Sequence, residues 1–341
     1  MTGGRSLLGM ALVTLVAVMA GAGATPVHAY LKLGTDVDGG TISLKWSGRG
    51  TSVRYFVRDA GVTGVSAVQF RDAVTRGFTT WQDVETASVG FEFGGFVSAR
   101  PLDQDNANVI GFEDRADLER TLASTSFLVD TRSGEILESD IFFNSSFEWS
   151  VAAGGEPGRF DVQSIATHEA GHFLGLGHSS LGETEAIPTG GRRLISAASV
   201  MFPIAYSSGN IIDRELQADD IAGVSDVYPD RRFRQSTGSL QGKVTKNGRG
   251  VFGAHLVGFN LTTGQLVGGF SLDQDGGFAI AGLSPGLYVV RIEPLDDGDL
   301  ESFFDSTANV DADFRAMFYP RLVTVPEGGG SAQIEVEVIA K

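Results

Sequence analysis

Three of the chain's five histidines fall within eleven residues, His168-Glu169-Ala170-Gly171-His172-Phe173-Leu174-Gly175-Leu176-Gly177-His178. The pattern is H-E-x-x-H-x-x-G-x-x-H. Two imidazoles four residues apart on a helix project from one face, one turn apart, so both reach one metal ion. Glu169 stands beside the first, within reach of a metal-bound water. Gly175 lacks a Cβ, so the chain can leave the helix there, turn sharply and bring His178 back to the same ion. Three neutral imidazoles and one open position describe a catalytic zinc centre rather than a closed structural one. H-E-x-x-H alone recurs by chance in helices; the added glycine and third histidine make coincidence a poor explanation. His28 and His255 stand apart, so no second histidine-rich zinc site is expected.

These residues need a helix, a turn and a floor. The spacing predicts a helix from Val162 to about Leu174, capped by Asp161, with Val162, Ile165, Ala166 and Phe173 on its buried side and His168 and His172 toward a cleft. Upstream, Thr51–Val57 reads as a strand, and Ser66 caps a helix that buries Val68, Ala73, Val74, Phe78 and Trp81. Strands are expected at 89–93 and 108–112. Thr125–Asp130 and Glu138–Phe143 flank Arg132-Ser133-Gly134-Glu135, which predicts a hairpin. Residues 179–199, polar and Gly-containing with Pro188, Arg192 and Arg193, read as a loop beside the metal. Ser199-Val200-Met201-Phe202-Pro203 follows, then a short amphipathic helix from Leu216, stopped by Pro229.

Composition narrows the partners. A formal net charge of −16 argues against nucleic acid and anionic membranes. The acidic side chains could serve calcium, but no stretch makes a known calcium loop, so Ca2+ stays unplaced. With no cysteine, disulfides, a thiol nucleophile and thiolate ligands are excluded. Residues 1–29 read as a secretory signal: Arg5, an apolar run from Leu7 to Ala20, and Val27-His28-Ala29 before a cut at Tyr30. Residues 30–40 read as an N-terminal arm or short pro-segment, in which Asp36 or Asp38 is a candidate carboxylate cap on the metal and a solvated tail is the plainer reading. Residues 41–230 form the first domain and 231–237 a charged linker. From 238 to 341 short strands and turns suit a β-sandwich.

The eleven-residue motif resembles the metzincin clan of zinc endopeptidases, which place a methionine in a turn beneath the metal. Met201 is the methionine available in the first domain, and Ser199-Val200-Met201-Phe202-Pro203 looks like the Met-turn of matrixins, the matrix-metalloprotease family. Ser179 after the third histidine suits matrixins, and Leu216, Asp219, Asp220, Ile221, Gly223 and Tyr228 resemble their C-terminal helix. Trp46, the Val53–Val57 strand, Phe78 and Trp81 resemble the N-terminal subdomain more loosely. Departures are present too. No cysteine can mask the zinc, Ser124 and Phe142 stand where the family's structural-zinc histidines would be, and His178 to Met201 is a long spacing. These features look like a bacterial-type secreted matrixin. The second domain resembles carboxypeptidase-regulatory-like modules through Gly253-Ala254-His255, Thr263-Gly264, Asp273-Gln274-Asp275-Gly276-Gly277-Phe278, Gly282-Leu283 and Pro285-Gly286-Leu287-Tyr288.

The resemblance implies an α+β fold: a metzincin-like catalytic domain, with a twisted mixed sheet and an active-site helix, followed by an all-β sandwich. It implies a secreted zinc metalloendopeptidase acting on proteins or peptides. His168, His172 and His178 would hold one Zn2+, Glu169 would be the general base, and Met201 a hydrophobic floor. Pro203 and Tyr206 would wall the substrate pocket. Substrate would lie along an edge strand at Thr121–Phe127. No nucleic acid is expected, nor a membrane once the signal is removed. The second domain is expected to bind a protein or carbohydrate surface. A different class of function stays open: a secreted binding or adhesion protein in which the sandwich works and the protease domain is vestigial.

Overall fold

A computed structural model describes residues 31–37, 40–48, 52–188, 191–296, 298–304 and 308–341. The expected signal and Asp38 lie outside the described residues. Few helices and many strands make a mixed α/β chain. No described helix is long and apolar enough to cross a membrane.

Strands β1 (Gly34–Val37) and β2 (Gly40–Ser43) form an antiparallel pair. Strand β3 (Ser52–Arg58) alternates exposed and buried residues, and helix α1 (Ala67–Gln82) starts at a Ser66–Gln69 capping box. Strands β4 (Gly90–Val97), β5 (Val109–Glu113), β6 (Ala123–Asp130) and β7 (Glu135–Asn144) join β3 in one sheet of order β4-β3-β5-β7-β6. All its pairs are parallel except β6 with β7, the expected hairpin. Strand β6 lies at the edge, pairing only with β7 among the described strands.

Strands β8 (Trp149–Ser150) and β9 (Phe160–Asp161) pair in parallel and lead into helix α2 (Val162–Phe173). Helix α2 packs on α1 at a point where α1 can carry no side chain. A Cβ on Gly77 would come within 2.9 Å of the Thr167 nitrogen. The Trp81 indole donates to the Thr167 carbonyl at 2.7 Å across the same contact. Phe70, Phe78, Trp81, Phe143, Trp149 and Phe173 fill the core between helices and sheet.

Two stretches differ from the sequence reading. Residues 179–199 hold a hairpin, β10 (Gly182–Ala186) with β11 (Arg192–Ala197). Its strands are largely polar, so apolar alternation gives no signal. Cross-strand pairs hold it instead: Arg193 with Glu185, and Arg192 to the Thr184 hydroxyl at 2.7 Å. After helix α3 (Ala218–Val227), the expected linker 231–237 is mostly helix α4 (Arg231–Ser236). Its charges face outward, while Asp230 caps it and one apolar residue, Phe233, is buried.

The remaining strands are β12 (Gly238–Lys246), β13 (Arg249–Gly250), β14 (His255–Asn260), β15 (Leu266–Phe270), β16 (Gly277–Leu283), β17 (Gly286–Glu293), β18 (Met317–Phe318), β19 (Val323–Val325) and β20 (Ser331–Glu337). One sheet runs β13-β12-β16 with β20 parallel on β12. The other runs β15-β14-β17-β18 with β19 on β17. Leu240, Val244 and Ile280 of the first share one apolar cluster with Leu256, Val290 and Ile292 of the second. That cluster also takes in Ala222 and Val224 of α3, so the two halves of the chain are packed together.

Candidate metal centre

Helix α2 begins where Asp161 accepts from the Ser164 amide at 2.8 Å and pairs with Arg214. Its end is fixed by four bonds. The Gly175 amide donates to the His172 carbonyl at 2.6 Å and the Leu176 amide to the Gly171 carbonyl at 3.0 Å, the paired bonds of a Schellman turn. The Trp46 indole donates to the Phe173 carbonyl at 2.8 Å, and the Tyr228 hydroxyl to that of Leu174 at 2.9 Å. Carbonyls that a helix end leaves without partners are thereby satisfied inside the protein. Gly175 has φ +89°, and a Cβ there would lie 2.2 Å from the Leu44 carbonyl oxygen. Glycine is required, and the turn it makes returns His178.

The result is a buried triad. His168 Nε2 lies 3.1 Å from His172 Nε2, which lies 3.2 Å from His178 Nε2. Each Nδ1 faces a main-chain carbonyl: Val200 at 2.7 Å, Leu176 at 2.8 Å and Ser302 at 2.5 Å. A carbonyl can only accept, so each Nδ1 carries the proton and each Nε2 turns a lone pair inward. Three lone pairs converging with no proton between them call for a cation. Zinc–nitrogen bonds of about 2.0–2.1 Å in a tetrahedron put nitrogens roughly 3.3 Å apart, close to the spacing here. The residues therefore fit a zinc ion. Burial pulls the imidazoles down from their ordinary value, His168 to about 3, His178 to about 4, and His172 also well below, so they stay neutral and ligand-ready.

Glu169 is fully buried beside the triad. Its Oε2 accepts from the Thr125 hydroxyl at 2.5 Å, while Oε1 has no partner. Burial pushes the carboxyl up to about 8, against the pull of the Thr125 bond. Thr125 belongs to edge strand β6, within the candidate substrate edge.

Met201 packs beneath α2: a Cβ on Gly171 would fall 2.2 Å from its sulfur. The turn that carries it hangs on Asp220, which accepts from the Ser199 hydroxyl at 2.6 Å and the Val200 amide at 2.9 Å. Asp220 also accepts from the Gln217 amide at 2.8 Å, capping α3. One carboxylate thus starts the helix, shapes the turn and sets the Val200 carbonyl that orients His168. Asp219 accepts from the Ser179 hydroxyl at 2.7 Å and the Gly268 amide at 2.8 Å. Burial, then the neighbouring Asp220 charge, raises the Asp219 carboxyl to about 7. Pro203 is buried and Tyr206 half-buried, its hydroxyl accepting from the Ala197 amide of β11 at 2.8 Å. Neither has a described hydrogen bond or ring contact with the histidines.

A family profile described as Peptidase_M10: Matrixin matches residues 45–229, more than half of the chain. Matrilysin of Rattus norvegicus is 35% identical over 98 residues, 29% of this chain and 30% of its own length. Metalloendoproteinase 1-MMP of Arabidopsis thaliana is 35% identical over 109 residues, 32% of this chain and 23% of its own. The hatching enzyme of Paracentrotus lividus is 27% identical over 199 residues, 55% of this chain and 27% of its own. The chain thus spans about a third or less of these relatives. A solved structure, the major pilin subunit BcpA of Bacillus cereus, matches 31% of this chain and 31% of that one at 16% identity and TM-score 0.23.

Proposed function

The chain belongs to the matrixin family, and from that premise we propose that it is a secreted zinc-dependent endopeptidase cleaving peptide bonds in proteins or peptides. The observation that carries this reading is the set of three inward Nε2 lone pairs, each fixed by an outward Nδ1 bond. His168, His172 and His178 would hold the ion in their neutral forms. Zinc, when bound, supplies Lewis-acid polarisation of the scissile carbonyl and acidifies a water. Glu169 Oε1, the oxygen left without a partner, would accept a proton from the attacking water and return it to the leaving amine. Thr125 steadies the other oxygen. Met201 keeps the floor apolar. Pro203 and Tyr206 wall the pocket beyond the cut bond.

Substrate lies extended along β6, whose outer edge offers main-chain donors and acceptors. Residues 1–29 direct secretion. Residues 238–341 form a carboxypeptidase-regulatory-like sandwich, supported by two sheets sharing one core. The test is a peptide-library digest by the purified protein with metal analysis. Cleavage should need stoichiometric zinc, stop with a chelator and return on zinc addition; cleavage that survives full chelation would contradict the reading.

A further inference from the structure

Two of the outward imidazole bonds stay within the family-matched segment, and one leaves it. His168 and His172 donate to Val200 and Leu176, whereas His178 donates to Ser302, beyond β17 in the C-terminal half. We propose that Ser302, through its main-chain carbonyl, is a positioning residue for the third metal ligand, so that residues 298–304 belong to the metal centre. The inference rests on the zinc reading given above.

Direction decides between a brace and a plug. Nδ1 and Nε2 leave the imidazole on opposite sides, so a carbonyl bonded to Nδ1 stands behind the ring, away from the ion. Ser302 holds His178 in the tautomer that turns its Nε2 lone pair toward the other two histidines.

The segment is built to stand there. The Ser302 amide donates to the Asp299 carbonyl at 2.9 Å and the Phe303 amide to Leu300 at 3.0 Å, making a tight turn. Phe303 is buried against Phe202 and Ile204, which follow Met201, and against Phe270 and Leu295 of the C-terminal half. Its ring meets the His178 ring edge-on at 6.4 Å. A Cβ on Gly298 would come 2.6 Å from the Phe303 ring, so the chain passes close over it. A second tie acts one residue along. The Gly268 amide of β15 and the Ser179 hydroxyl share the Asp219 carboxyl. His178 is thus bonded directly by the C-terminal half, and Ser179 shares its partner Asp219 with that half.

Removing an outer partner of a metal-bound histidine costs about 10–100-fold in metal affinity. Zinc dissociation constants should be measured by chelator competition on the full chain and its Phe303→Asp, Phe303→Leu and Leu300→Gly/Glu301→Gly variants, with visible spectra of the cobalt-substituted forms. A charge at 303 drives the turn out of its apolar seat. The glycine pair loosens the turn but keeps the Phe303 anchor, so it serves if Phe303→Asp fails to fold. Both should bind zinc about 10–100-fold more weakly with altered cobalt bands, while Phe303→Leu stays within about threefold of the parent. Parent-level zinc affinity in both loosened variants overturns the proposal, and if peptide hydrolysis is then faster the segment is a lid instead. A parent that fails to bind zinc overturns the zinc reading itself.

Discussion

At the residue scale, what each histidine of the triad can do is set by its second nitrogen. The H-E-x-x-H-x-x-G-x-x-H spacing makes the grouping of the three histidines legible in the sequence, because side-chain types carry that information. Their partners are main-chain carbonyls of Val200, Leu176 and Ser302, and a carbonyl has no sequence signature. Thr125 was within reach of sequence reasoning, as a hydroxyl on a strand expected to border the cleft. Its bond to Glu169 favours the ionised carboxylate. Thr125→Val removes that bond, so the carboxyl titrates higher and the ionised base is lost at a higher pH as pH falls. The acid limb of kcat/KM should move upward and kcat fall roughly tenfold, the size of one lost charge-assisted bond, with zinc content unchanged. A pH profile settles it; an unmoved limb counts against the pairing.

At the element scale, the turn after α2 and the Met201 turn position the chemistry. Gly175→Ala would put a methyl 2.2 Å from a backbone oxygen at φ +89°. Neither the neighbour nor the dihedral can adjust cheaply, so we expect a loss of about 2–4 kcal/mol and weakened zinc binding, read by urea unfolding and chelator competition. Asp220→Ala leaves the Ser199, Val200 and Gln217 donors without their acceptor. The expected loss is about 2–3 kcal/mol, with zinc affinity falling because Val200 no longer holds His168; wild-type stability in this variant would show that the turn does not depend on α3. Helices with an apolar face and a cap, such as α1 and α2, were legible from periodicity, although Val68, expected on the buried side of α1, is exposed and Phe70 is buried instead. The β10–β11 hairpin and α4 were not, since ion pairs and one buried phenylalanine hold them instead of a stripe.

At the scale of the whole molecule, the strands of the C-terminal half were legible from short apolar runs between turns, but their docking was not. Docking depends on residues far apart in sequence: Phe202 and Ile204 meeting Phe270, Leu295 and Phe303, and Asp219 meeting Gly268. A chain ending at residue 237 would bare the Met-turn flank and the α3 surface. It is expected to unfold at lower temperature and to hold zinc less tightly than the full chain. Equal thermal midpoints would show that the halves are independent. The central claim is that one buried carboxylate beside three zinc-holding histidines cleaves peptides. The direct measurement is zinc content and peptide hydrolysis of Glu169→Gln beside the parent. The prediction is stoichiometric zinc in both and hydrolysis lowered at least about 10²–10⁴-fold in the variant; cleavage at the parent rate would contradict it.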